Sequence, residues 1–363
     1  MRLAAIGRAA AALTLAMLLI ALVLLGLGVS PAGVFIALYD GAFGDWLAVT
    51  DTLVKSVPLL FCGLAIAIAF EGALWNIGSD GQLIVGALIA GAVGPMLVRW
   101  PYPAAITALL LTGACGGGAW GAIAGWLRAR RQVNEVISTI MLNFTAAQLL
   151  SWAVHGPLIE SSHAYPKSAP IARSAQLQLY FPPSRLNLGM LLAVILALLC
   201  YVFMFHTEAG FELRAMGRNR QASAFFGIRT ARLTLGAMAL SGAIAGLGGA
   251  VQISAITHRL YETISPGWGY EAIAVALIAR LNPLGIVPAS ILFGALDNGA
   301  QAIQRAQGIS PVLVQVIEGL VIMALLGLDA AAALAVRHMD RAAPAVDEAT
   351  PAEAVPAARK ATE

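Results

Sequence analysis

The chain has 363 residues, of which 59% are apolar and only 11% charged, with 22 Lys and Arg against 19 Asp and Glu. Water-soluble domains carry about 25% charged residues, so this balance excludes an ordinary soluble enzyme and puts most of the chain in lipid. A net charge of +3, spread along the chain, gives no basic patch for nucleic acid.

A helix of about 20 residues crosses the hydrocarbon core. Ten apolar runs approach that length, at 11–29, 53–70, 83–98, 104–127, 136–154, 188–205, 233–256, 271–281, 284–303 and 311–328. The eighth is too short for a regular span, so it is expected to be broken at membrane depth or prefixed by part of 265–270. Arg2 and Arg8 precede the first run as they would a secretory signal, but its apolar part is long for one and it is read as a retained span. Seven of the 22 cations (Lys55, Arg99, Lys167, Arg173, Arg185, Arg259 and Arg305) fall in alternate connecting segments, and the other 15 lie on the opposite side. Retention of Lys and Arg on the cytoplasmic side then puts both termini inside and the Pro/Ser-rich segment 155–186 outside. The expected fold is all-α, a polytopic membrane domain of about ten helices over 1–330. A tail at 331–363, mixing Ala, Pro and charge without periodicity, is expected to be disordered in the cytoplasm.

One polar, glycine-containing break interrupts the apolar pattern early, E-G-A-L-W-N-I-G-S-D-G-Q at 71–82. Polar groups at membrane depth cost several kcal/mol without partners, which marks Glu71, Trp75, Asn76, Asp80 and Gln82 as candidates for a solute path. Trp offers a stacking face for a base or sugar, and the amides offer paired donors and acceptors. A short turn between two helices would also explain the break. Further along, Asn143, Gln252, Asp297 and Asn298 are path candidates by the same reasoning, with interhelical hydrogen bonding as the competing explanation.

Gly113, Gly117, Gly121 and Gly125 recur every four residues on one helix face, a pattern that lets another backbone approach closely. Gly242, Gly246 and Gly249 form a shorter set. The chain has no G-x-x-x-x-G-K-[ST] phosphate loop, so it has no nucleotide site of that kind. Its five His and three Cys (Cys62, Cys115, Cys200) have no metal-ligand or disulfide spacing, and neither a metal nor a cofactor is expected. The inside segment 207–232 is basic, yet it also carries Phe225 and Phe226. An apolar ridge of Ala215, Ala222, Phe225 and Phe226, punctuated by Gly217 and Gly227, calls for a protein partner.

These residues resemble a known family. The break at 71–82, N-E-V-I-S-T-I-M-L-N at 134–143, T-E-A-G-F-E-L-R-A-M-G-R-N-R-Q-A-S-A-F-F-G-I at 207–228, S-G-A-I-A-G-L-G-G at 241–249 and A-I-A-V-A-L-I-A-R-L-N-P-L-G at 272–285 are similar to the membrane subunits of ABC importers. The branch is that of nucleoside and simple-sugar permeases, related to ribose and branched-chain amino-acid permeases. The resemblance covers most of 55–330 and implies an inverted repeat. It also implies a separate ATPase subunit, an extracytoplasmic solute-binding protein, a second permease subunit and a bacterial cytoplasmic (inner) membrane. It assigns ATPase coupling to Arg214, Gly217, Asn219, Ala222, Phe225, Phe226 and Gly227. The chain departs from the pattern at Asp80, where Glu is frequent, and at Ala279-Arg280, where Gly-Gly or Gly-Asn is usual. The expected solute is a nucleoside or a related small polar molecule. A sugar or amino-acid permease of the same type is the alternative, with an ion-coupled secondary transporter using Asp297 and Glu318 further behind.

Overall fold

The computed structural model describes residues 30–307 apart from Ala164, with a few isolated positions beyond. The expected spans 11–29 and 311–328 and the tail 331–363 lie outside the described stretch. Within it the chain is helical, and extended pairing is confined to three isolated bridges, two of them within the segment 155–186 or between it and Tyr261.

The elements, in order, are α1 (Pro31–Phe43), α2 (Trp46–Glu71), α3 (Ser79–Val93, continued by a 3-10 turn at Gly94–Arg99), α4 (Tyr102–Arg131) and α5 (Glu135–His155). Then come α6 (Leu188–His206), α7 (Glu208–Arg218), α8 (Arg220–Phe225), α9 (Thr230–Gln252, continued by a π turn at Ile253–Thr257), α10 (Trp268–Ile278) and α11 (Pro283–Gln307). Seven of these helices are long and apolar enough to cross a membrane. They correspond to the second through seventh and the ninth expected runs. The eighth run is the 11-residue α10, too short to cross as a regular helix. Helix α1 falls between the first two runs and was not expected; Ser30 caps it by accepting from the Gly33 amide, and Pro31 starts it.

Local sequence sets most of the boundaries. Asp45, Asn134, Asn187 and Thr207 each accept an amide of the first turn of α2, α5, α6 and α7. Arg128, Arg130 and Arg131 close α4 at its C-terminal end, where the helix dipole favours cations.

Helix α2 is the most enclosed span, and its residues from Leu59 to Ala69 form the centre of the main apolar core. Around it the packing is reciprocal: α9 lies on α4 and α3, while α2 lies on α11 and α10, and α2 and α9 also touch. The α4–α9 contact is a glycine seam. A methyl group on Gly113 would meet Ala250 Cβ at 2.5 Å, and one on Gly125 would meet Met238 Cβ at 2.9 Å. On Gly117 and Gly121 it would overlap the carbonyl oxygens of Gly242 and Met238. The four-residue glycine spacing therefore faces another helix of the same chain.

The segment 155–186 is folded down onto the connection between α9 and α10. Ser168 N donates to Leu260 O at 3.0 Å, Ile171 N to His258 O at 3.0 Å and Leu177 N to Ser254 O at 2.9 Å. Glu160 pairs with Lys167 at 3.0 Å and with Arg259, fixing the start of the segment to the same connection.

Candidate functional site

The break after α2 begins with a tight reversal. Ala73 takes a left-handed conformation (φ 53°), and the Leu74 amide reaches back to Ala69 O at 3.0 Å. Leu74 is buried, Trp75 is 53% exposed with its ring 4.9 Å from that of Phe70, and Asn76 is fully buried.

Asn76 is the centre of a closed hydrogen-bond set. Its Nδ2 donates to Gln82 Oε1 at 3.0 Å and Ser241 Oγ at 2.8 Å; its Oδ1 accepts from Gly78 N at 3.0 Å and Gln82 Nε2 at 3.1 Å. Ser241 in turn donates to Ala65 O on α2 at 2.6 Å. The set thus ties α2, α3 and α9 together through side chains that have no other polar partner in an apolar interior.

Asn143 on α5 forms a second tie. It donates to Ile77 O and to the Tyr270 hydroxyl, both at 2.9 Å, and accepts from Gly81 N at 2.9 Å. A third runs through Asp80, whose Oδ1 accepts from Ser265 Oγ at 2.7 Å and Gly269 N at 3.1 Å, while Ser79 Oγ donates to Gly269 O at 3.1 Å. Asp80 lies in the first turn of α3 and caps the first turn of α10, so one carboxylate sits between two helix N-termini. The two breaks of the chain, 72–78 and 258–267, therefore meet through the first turns of the helices that follow them.

Gly121 faces Gln82 Nε2 and lies ten residues before Arg131 at the end of α4, about 15 Å along the axis. The polar junction is therefore enclosed among the helices and set back from the arginine-bearing end of α4.

Glu71, at the end of α2, is separate from this junction and faces Arg214 and Arg218 of α7. A methyl group on Gly217 would overlap the Glu71 carbonyl oxygen, and one on Gly72 would meet Leu213 Cδ1 at 2.6 Å. Helix α7 is thus seated on the break itself. The expected ridge along 214–228 is not continuous, because Asn219 leaves the helical conformation (φ −155°) and caps a separate α8 by accepting from Ala222 N at 3.0 Å. Ala215 and Ala222 are half-buried on different helices, and only Phe225 and Phe226 protrude, 87% and 82% exposed. Gly227 ends α8 with φ 87°, as its punctuating role requires. Gly217 is instead inside α7, where it serves close approach.

The remaining path candidates are elsewhere. Asp297 pairs with Lys55 at 3.3 Å, and Asn298 Nδ2 reaches Gly41 O at 2.9 Å and Ala48 O at 3.0 Å, joining α11 to α1 and α2. Gln252 is half-buried at the start of the π turn, and its amide has no partner among the described residues. Sequence reading missed Ser241, Ser265 and Tyr270, the partners that complete the junction; a small hydroxyl in an apolar helix carries no signal until its partner is known. Among the described residues no group of His, Cys, Asp and Glu could hold a metal ion.

Interrupted helices meeting inside an apolar bundle, with a separate helix pair seated on one interruption, are an arrangement suited to a polytopic transport subunit. The chain belongs to the family described as branched-chain amino acid transport system / permease component, whose model matches residues 48–326. It is 34% identical over 314 residues to the guanosine ABC transporter permease protein NupP of Bacillus subtilis, covering 84% of this chain and 88% of that one. It is 32% identical over 317 residues to the glucose ABC transporter permease protein TsgB13 of Haloferax volcanii, covering 84% and 82%. The nucleoside ABC transporter permease protein NupB of Lactococcus lactis is 29% identical over 320 residues, covering 86% and 88%. No solved structure matches the chain.

Proposed function

We propose that this chain carries a nucleoside, or a closely related small polar solute, across the cytoplasmic membrane as one permease of an ATP-driven importer. ATP is hydrolysed by a separate ATPase subunit that grips Phe225 and Phe226. An extracytoplasmic binding protein delivers solute to the outer face, and a second permease subunit completes the path. Both termini and the α7–α8 pair face the cytoplasm, in keeping with the distribution of Lys and Arg.

The observation that carries this reading is the seat of α7 on the α2–α3 break at Gly217 and Glu71. Movement of α7 has no slack before it reaches the break, and the break holds the buried polar junction. In this arrangement Asn76, Gln82, Asp80 and Asn143 act as latches, and Trp75 and Gln252 present a ring face and an unengaged amide to the solute. The reciprocal packing of α9 with α4 and α2 with α11 supports an inverted repeat in which one break opens to each side.

The nucleoside reading draws on the printed roles of NupP and NupB, and the glucose permease TsgB13 keeps a sugar as the second reading. Uptake of radiolabelled guanosine by cells carrying the complete system tests both, with unlabelled nucleosides and sugars as competitors. Nucleosides competing best, and uptake lost in the Phe225→Ala, Phe226→Ala double variant at unchanged membrane abundance, are the expected results. Glucose competing best moves the sugar to first place, and uptake that survives deletion of the ATPase subunit overturns the ABC mechanism for this chain.

A further inference from the structure

Where α4 ends and α9 begins, a cavity of about 560 Å³ opens at the same end of the molecule as α7 and α8. Its lining includes Arg130 from α4 and Arg229 and Arg232 from the start of α9, with Thr230 between them. None of the three arginines has an ion-pair or hydrogen-bond partner among the described residues, although the neighbouring Arg128 is paired with Glu135 at 3.0 Å. The backbone adds to the same field. Arg229 occupies the cap position of α9 without a side-chain cap bond, and the amides of Ala231 and Arg232 have no backbone partner among the described residues. Three cations and an uncapped helix start converge on one hollow, which is the chemistry that binds a phosphoryl group.

The wall on the membrane side is apolar. Trp126, 46% exposed, lies one and a half turns before the end of α4, and Leu235 lies one and a half turns into α9. Leu235 is 36% exposed, so Trp126 and Leu235 give the cavity an uncovered apolar flank. A Trp at this level is characteristic of the membrane–water boundary, and an apolar flank beside a cationic hollow matches an acyl chain beside a headgroup.

We propose that this cavity binds the headgroup of an anionic phospholipid, with Arg130, Arg229 and Arg232 on the phosphate and Trp126 and Leu235 against an acyl chain. The site rests on the membrane-spanning reading of α4 and α9 and is independent of the solute and of the ATPase, so its failure would leave the proposed transport function standing. It would place a lipid at the joint between the α7–α8 pair and the helix that follows it.

Native mass spectrometry of the full-length protein in detergent tests this, with phosphatidylglycerol and phosphatidylcholine of matched acyl chains as probes and inorganic phosphate as the third arm. The wild type is expected to prefer phosphatidylglycerol by about tenfold or more. The Arg229→Gln, Arg232→Gln double variant should bind the two lipids equally, and the Arg229→Lys, Arg232→Lys variant should keep a clear preference, which separates loss of charge from misfolding. A charge-matched Arg131→Gln, Arg173→Gln control should behave as wild type. Equal binding of both lipids by the wild type, or an undiminished preference in the Gln variant, overturns the proposal. Displacement of phosphatidylglycerol by millimolar inorganic phosphate would reassign the hollow to a free anion. A Gln variant that keeps its lipid preference but no longer co-purifies with the ATPase subunit would make the cavity a protein docking surface, and the lipid assignment would fail.

Discussion

Gly217 of α7 lies flat against the carbonyl oxygen of Glu71, with no room for a side chain between the two backbones. The consequence is testable by adding one methyl group. Gly217→Ala must push α7 away from the break or twist it. The complex should still assemble, because Phe225 and Phe226 are untouched, and ATP hydrolysis should persist while uptake falls by about tenfold or more, a barrier change of roughly 1.4 kcal/mol. The ratio of solute moved to ATP hydrolysed in proteoliposomes measures this; an unchanged ratio would show that the contact transmits nothing.

Asn76 satisfies Gln82, Ser241 and the Gly78 amide simultaneously. Asn76→Ala leaves the Gln82 amide and the Gly78 amide without partners, while Ser241 keeps its bond to Ala65 O, at a cost of about 1–3 kcal/mol for each group left unsatisfied. Ser241→Ala removes a single hydroxyl and should cost less. Thermal unfolding in detergent, followed by loss of the monodisperse species, should rank wild type above Ser241→Ala and Ser241→Ala above Asn76→Ala.

Asp80 belongs to two helix starts, so the negative charge and the acceptor geometry both matter. Asp80→Asn keeps an acceptor for Gly269 N but loses the charge, and should retain folding with reduced stability. Asp80→Ala loses both and strands the Ser265 hydroxyl, so it should be the worse of the two by about 1 kcal/mol or more. Hydrogen exchange of the Ser265–Tyr270 amides distinguishes them: protection there should fall in the order wild type, Asn, Ala.

The α4–α9 seam predicts a steep size dependence. Gly117→Ala should cost about 1–3 kcal/mol, because the new methyl would overlap the Gly242 carbonyl and backbone cannot rotate aside. Gly236→Ala, on the same helix pair where the added carbon meets open space, should be neutral or slightly stabilising. Equal effects at the two positions would mean that the seam is not closed in the membrane.

The outer clamp predicts a pH range. Ser162 first, with Lys167 and Arg259, holds the Glu160 carboxyl at about 2 against an ordinary value of 4.5. A carboxyl held low in the folded protein stabilises it at every pH above the unfolded value, and that contribution is lost as pH falls from about 4.5 towards 2. Amide protection of Ser168 and Ile171, corrected for intrinsic exchange, should therefore be constant from pH 7 to 5 and decline below 4.5. Glu160→Gln should show the lowered protection throughout, with no decline of its own in that range.

The long spans were legible because an apolar run of about 20 residues has one stable solution in lipid. Helix α10 was legible as a defect in that pattern, an apolar run too short to cross. What the sequence could not show was which polar residues are partners. Asn76, Gln82, Asp80 and Asn143 stood out as polar groups in apolar surroundings, but their connections to Ser241, Ser265 and Tyr270 span 127–185 positions along the chain. Asn76 and Gln82 bond each other, and Asp80 and Asn143 bond the α10 side of the junction through Ser265, Gly269 and Tyr270. Arg280 is a further case. The family pattern favours glycine nearby, and the structure shows why: Arg280 and Leu281 have φ of 51° and 58°, a region where glycine is unstrained and bulky side chains are not. Gly217 was legible as a helix punctuator and is in fact a contact point, since a glycine's spacing does not reveal what lies against its missing side chain.

Helix α9 starts next to the α7–α8 pair and ends, about 35 Å away by its 23 residues, at the connection clasped by the outer segment. Along that length it meets α4 backbone to backbone, and atoms of the main chain have no rotamers with which to absorb a displacement. The two helices therefore behave as a single stiff plank: a tilt applied at one face of the membrane arrives at the other at once and undamped. The solute's entrance and exit are in this way subject to one mechanical constraint, and a stroke that loosens one mouth must work against the fastening of the other.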